Sequence, residues 1–118
     1  MTKNERARRR IIANSVVAEI PFGKFGCCWI WTGVRNGDGY PRICVRVGGA
    51  PTLLYAHRVA FEAFKERRIR AGFQIDHSCN NPSCVNPDHL SEVLPKTNAT
   101  YRERRKRKRI KDYCAAQA

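Results

Sequence analysis

The sequence predicts an α+β fold: a small antiparallel sheet, then a strand–loop–strand–helix unit stapled by zinc, with basic helical termini. Short aromatic and β-branched runs separated by glycine-rich turns between Cys28 and Tyr55 point to the sheet. An amphipathic period over Ala56–Glu66 points to a helix beside it. Two of the three histidines, His77 and His89, bracket Cys79 and Cys84 in a loop rich in Asn and Pro, a segment that needs something to hold it.

Along the chain, Thr2–Glu19 reads as a basic helix ended by Pro21 and Gly23. Cys28–Thr32, Cys-Trp-Ile-Trp-Thr, reads as a short strand. Asn36-Gly37-Asp38-Gly39 is a turn signal. Tyr40–Val47 alternates as a second strand, and Gly48-Gly49 turns it into a third, Thr52–Tyr55, all three in one antiparallel sheet. Val59, Ala60, Ala63 and Phe64 share one face of the next helix. Phe73–Asp76 reads as a buried strand delivering Asp76 and His77 at its end, and Leu90–Leu94 as its return. Pro95 suits the first turn of a helix running through Asn98 into the basic tail. The expected organisation is a basic helix over 1–20, a core domain over 21–101 and a basic helix or tail over 102–118. A folding unit of roughly eighty residues is in the range where a metal or disulfide staple is often needed.

Lys and Arg total 23 against 10 acidic residues, a net charge of +13, which favours a polyanionic partner. The charge is gathered at the ends. Arg6–Arg10 holds four arginines, and Arg102–Lys111 holds eight basic residues and one Glu. A lone charge run is more often a solvated face. Here it directly follows a candidate metal site, so Arg102, Arg104, Arg105, Lys106, Arg107, Lys108 and Arg109 are read as phosphate contacts. Ile11–Ile20 resembles an apolar signal stretch, but Asn14, Ser15 and Glu19 interrupt it and no small-residue cleavage site follows. No apolar run is long enough to span a membrane. The expected location is the cytoplasm of a bacterial or phage-infected host cell.

Six cysteines could indicate a disulfide scaffold, but a C-x4-C bracketed by histidines points to metal in a reducing compartment. Cys79, Cys84 and His89 supply three of the four ligands tetrahedral zinc requires. The fourth is expected from Cys28 or its neighbour Cys27, with Cys28 the first choice because it heads a strand. Cys44 and Cys114 read as ordinary thiols. Asp76, His77 and Asn98 remain, and they suit a second, harder site. Phosphodiester hydrolysis needs a base to activate water and a cation for the developing charge. Asp76 and Asn98 offer oxygen ligands for Mg2+ or Mn2+, and a neutral His77 can accept a proton near pH 7.

His77-x-Cys79-x4-Cys84-x4-His89-x8-Asn98, with Asp76 before it, resembles the ββα-metal (His-Me finger) nucleases: the HNH endonucleases and the His-Cys box homing endonucleases. Cys28-Trp-Ile-Trp-Thr-Gly33, Ala56-His57-Arg58-Val59-Ala60 and Cys84-Val-Asn-Pro-x-His89-Leu90 resemble the small HNH proteins of phage genomes. The resemblance implies that His77 is the general base, that Asn98 and Asp76 hold the divalent metal, and that an arginine from the preceding sheet meets the phosphate. Arg42, Arg46 and Arg58 are the candidates, though Arg58 equally suits an ion pair with Glu62 one turn on. His57 reads as a packed histidine, and neither Asn81 nor Asn86 is assigned a catalytic role.

The expected activity is cleavage of double-stranded DNA. One such site cuts one strand, so cutting both takes a homodimer or two successive events. The competing reading is a zinc-stapled DNA-binding module without catalysis, which would have no use for Asp76, His77 and Asn98 together. RNA is disfavoured because Trp29 and Trp31 read as core.

Overall fold

The first helix, α1 (Lys3–Ala13), begins with a capping box: Thr2 Oγ1 accepts from the Glu5 amide at 3.1 Å, and Glu5 Oε2 accepts from the Thr2 amide at 3.3 Å. The computed structural model describes residues 2–21 and 25–117, with side chains through Lys108 apart from Ile20. The helix stops well short of Glu19. The Asn14 side-chain amide and the Ser15 hydroxyl donate back to the carbonyls of Arg10 and Ile11, both at 2.8 Å. The β-branched pair Val16–Val17 then leaves as a strand, β1 (Ser15–Pro21). The expectation of one helix to Glu19 is corrected here: local side-chain bonds end it, and pairing with β2 (Cys27–Trp31) takes over, Val16 opposite Ile30 and Val17 opposite Trp29. Pro21 ends this strand rather than a helix, and Gly23 lies outside the described residues.

A second ribbon pairs β3 (Arg42–Val47) with β4 (Ala50–Tyr55). Gly48 and Gly49 close it with φ of 58° and 83°, the two positive angles that a tight two-residue hairpin turn requires. Between β2 and β3, Asn36 Oδ1 accepts from the amides of Asp38 (3.0 Å) and Tyr40 (2.9 Å), building the turn from its own side chain. The expected three-stranded sheet is therefore replaced by separate two-stranded antiparallel ribbons, because β2 spends one edge on β1.

Its other edge meets the Asn/Pro loop. The Trp31 amide donates to Ser83 O (2.9 Å) and the Val85 amide to Trp29 O (2.8 Å), with Ile30 bridging Cys84. Helix α2 (Ala56–Lys65) lies across the ribbons, ended by Glu66 in the left-handed region. It buries Ala56, Val59, Ala60 and Phe61 with Ile11, Trp31, Ile43, Ile75, Val85 and Leu90 in one core. The third ribbon, β5 (Gln74–His77) with β6 (Leu90–Val93), sets Asp76 opposite Ser91 and His77 opposite Leu90. After β6 the helix α3 (Pro95–Gln117) carries Asn98 in its first turn and continues through the basic segment. Among the described residues no helix is long and apolar enough to cross a membrane.

Candidate active site and metal centre

The docking of the 83–85 segment on β2 brings together four residues that are distant in sequence. The ligand atoms of Cys28, Cys79, Cys84 and His89 all lie within 4.8 Å of one another. Zinc–sulfur bonds of about 2.3 Å in a tetrahedron place ligands about 3.8 Å apart, so this quartet is of zinc size. His89 is fully buried. Its Nε2 sits 3.1 Å from the carbonyls of both Phe25 and Gly26, which can only accept, so Nε2 carries the proton. Nδ1 is then the bare nitrogen, and it faces Cys84 Sγ at 3.4 Å and Cys28 Sγ at 3.5 Å. A hydrogen bond from Cys84 lowers the Cys79 thiol to about 5, while the same bond, with burial, raises Cys84. Burial and the nearby Cys79 also raise Cys28. A cation is what would let all three ionise together.

Cys27 stands outside the quartet, and its carbonyl accepts from Asn86 Nδ2 at 2.8 Å. Asn86 Oδ1 also caps the short 3-10 turn Pro87–His89 through the Asp88 amide (3.0 Å), so Asn86 shapes the loop. Cys44 is exposed, and the Cys114 side chain lies outside the described residues.

Beside this cluster is a cleft of about 180 Å³ whose walls include His57, Asp76, His77, Asn98, Arg102 and Arg105. The trio expected from sequence shares it. Asn98 Nδ2 donates to Gln74 Oε1 at 2.9 Å, which leaves its buried Oδ1 without a partner. His77 Nε2 is also buried and unpartnered. Burial holds His77 below the ordinary histidine range, against the opposing pull of Cys79 and Asp76, so it is neutral near pH 7. Two unsatisfied buried polar atoms on one cleft are what a hydrated cation or a phosphate would complete. Asp76, 4% exposed, differs: both its oxygens take the Arg105 guanidinium, at 2.7 and 3.1 Å.

Other residues took positions that the sequence did not disclose. His57 is buried as expected, yet it lines the cleft, its ring edge-on to His77 with centroids 4.9 Å apart. Burial, with the charge of His77, lowers it to about 3. Its place at the start of a helix following a strand that ends in Tyr55 was the available cue. The sheet arginines do not line the cleft. Arg42 lies over the Tyr55 ring (4.3 Å) and donates to Leu53 O, and Arg46 donates to Gly49 O. Arg58 makes no ion pair with Glu62, whose Oε2 instead accepts from the Ile69 amide at 2.9 Å. Arg102 and Arg105, from the basic helix, stand in the cleft instead. Arg107 pairs with Glu103 one turn away, and the Arg109 side chain lies outside the described residues.

The unit β5–loop–β6–α3, with a Cys/His quartet beside Asp76, His77 and Asn98, defines a class, and the sequence comparisons agree. Residues 54–100 match the HNH endonuclease family model, and the chain belongs to that family. It is 34% identical over 100 residues to the uncharacterized gene 5.3 protein of Enterobacteria phage T3, covering 80% of this chain and 96% of that one. It is 42% identical over 74 residues to Protein 2.8 of Escherichia phage T7, covering 62% of this chain and 47% of that one. Protein 7.7 of the same phage is 35% identical over 72 residues, or 61% and 52%. The chain thus spans about half the length of the two T7 relatives and nearly all of the T3 one. No solved structure gives a significant match. The HNH domain suggests a nuclease or DNA-binding role.

Proposed function

We propose that the chain is a divalent-metal-dependent DNA endonuclease with a structural zinc. The observation that supports it most is the joint presence, on one cleft, of a neutral, half-buried His77 whose buried Nε2 has no partner, an Asn98 Oδ1 with no partner, and the Asp76 carboxylate. His77 accepts the proton of a water attacking the scissile phosphorus, whose bond to the leaving oxygen then breaks. His57, packed edge-on, holds the His77 ring in orientation. Asp76 and Asn98 are the residues that would hold Mg2+ or Mn2+, which when bound supplies positive charge to the phosphate and the leaving oxygen. Cys28, Cys79, Cys84 and His89 hold zinc and fix the loop that carries the cleft's lower wall. The basic face of α3 contacts double-stranded DNA, in the cytoplasm of a phage-infected bacterium. One site nicks one strand; cutting both takes a second copy or a second event.

Plasmid nicking with Mg2+ present or omitted, wild type against His77→Ala, tests this. The variant keeps zinc, fold and DNA affinity and loses on the order of 10²–10⁴ in rate. Cleavage by the variant at the wild-type rate overturns the assignment of the base. The alternative, a DNA-binding module without catalysis, draws on the capture of Asp76 by Arg105. It requires that the wild type bind DNA and never nick it.

A further inference from the structure

Asp76 carries the one carboxylate on the cleft among the described residues, and it is spoken for. The Arg105 guanidinium grips both oxygens, and Asn80 Oδ1 takes the Nε of the same group. A guanidinium on both oxygens leaves a divalent cation facing a neutralised ligand and a like charge at van der Waals range. The fork that fits a carboxylate fits a phosphate equally well. Arg105 is also placed to meet one. It stands on the basic helix with Arg102, which lines the same cleft, and its side chain is 23% exposed whereas that of Asp76 is 5%. Asn80, itself at φ 59° and held by its amide to His77 O at 2.9 Å, anchors the guanidinium at the rim independently of Asp76.

We propose that Arg105 is a phosphate-binding residue of the cleft that exchanges Asp76 for a backbone phosphate of DNA. Without DNA it occupies the carboxylate and weakens cation binding. When DNA docks along α3, the phosphate draws the guanidinium away, and Asp76 is free to join Asn98 as a ligand. DNA and the divalent cation therefore bind cooperatively, and the effect is reciprocal: the cation tightens DNA binding by the same factor. This rests on the nuclease reading of Asp76 and Asn98, and it makes the bare protein a poor metal binder, so that the cation loads where the substrate is.

The experiment is Mn2+ titration of the zinc-loaded full chain, read by the EPR signal of free Mn2+, with and without a short phosphorothioate duplex that resists cleavage. The wild type is expected to bind Mn2+ about tenfold more tightly with the duplex. Arg105→Gln, shown to be folded by its zinc content and thermal transition, should bind Mn2+ about tenfold more tightly than wild type without duplex, and gain less from it. Arg105→Lys, which keeps the charge and loses the fork, should fall between. A wild-type affinity indifferent to the duplex overturns the exchange, and this arm needs no variant to fold. So does an Arg105→Gln affinity equal to or weaker than wild type. Plasmid nicking separates the two levels. Nicking with duplex-independent Mn2+ affinity removes the exchange alone. No Mn2+ binding under either condition, with no nicking, removes the nuclease reading as well.

Discussion

His57 offers a quantitative check on how the cleft is built. Its ring is held neutral by burial, at about 3 against an ordinary value of 6.5, and its buried Nδ1 has no partner. The folded-state value lies below the unfolded one, so as pH falls the unfolded chain takes up the proton first. Stability from this group is complete above the unfolded value and is lost as pH drops from there toward the folded value. At about pH 5 the unfolded imidazole is protonated roughly thirty to one while the folded one is still neutral, which corresponds to about 2 kcal/mol. A folded value one unit higher would change this little, since either leaves the ring neutral at that pH. His57→Phe keeps a ring against Tyr55 and His77 and removes the titration. Urea unfolding of the zinc-loaded proteins, followed by Trp fluorescence at about pH 7.5 and about pH 5, gives the double difference, in which acid effects on the zinc ligands cancel. The wild type should lose about 2 kcal/mol more than His57→Phe. Equal losses would mean that His57 is hydrated or protonated in the folded protein, and its buttressing of His77 would fall with it.

Further outcomes follow from the same geometry. Cys28→Ser and Cys84→Ser should purify without zinc and with loosened structure, whereas Cys27→Ser and Cys44→Ser should keep one zinc per chain by elemental analysis. Replacing Arg104, Lys106 and Lys108 by Gln should weaken duplex binding alike for all sequences and reduce its salt dependence by roughly one unit of slope for each phosphate no longer neutralised; an unchanged slope makes these residues a solvated face. Thr2→Ala removes the capping-box acceptor of α1 and should lower unfolding free energy by about 1 kcal/mol, read by thermal or urea unfolding, without altering zinc content.

What the sequence disclosed tracks how local each signal is. Cys79, Cys84 and His89 lie within one short segment, so their spacing alone singled out three members of the quartet that could hold a metal, and Cys28, expected to head a strand, is the fourth. The β5–β6 ribbon and Asn98 in the following first turn are equally local. The end of α1 was hidden because Ile11, Ile12, Val16 and Val17 keep a mixed helical spacing; the break comes from Asn14 and Ser15 bonding backward. The partner of β2 was hidden for the opposite reason. Its two edges are filled by β1 and by the 83–85 segment, the latter more than fifty residues on in the chain. Arg105 is one of eight basic residues in its run and nothing in the string of letters separates it from the others. Only the chain path that brings α3 back over β5 sets it 2.7 Å from Asp76.

The Cys28–His89 contact spans 61 residues, and this orders events during synthesis of the chain. At about 5–20 residues per second, Cys28 waits roughly 3 to 12 s for its last partner to be made. The α1 turn, the β1–β2 and β3–β4 ribbons and α2 all have short-range pairings that can close in that interval. The quartet cannot, and neither can the cleft beside it, since His77, the loop, Asn98 and the α3 arginines all follow α2 in the chain. The centre is thus finished only once nearly all the rest of the fold is in place, and a truncated product lacking the segment from His89 onward would carry the basic N-terminal arm with neither the complete metal cluster nor Asn98.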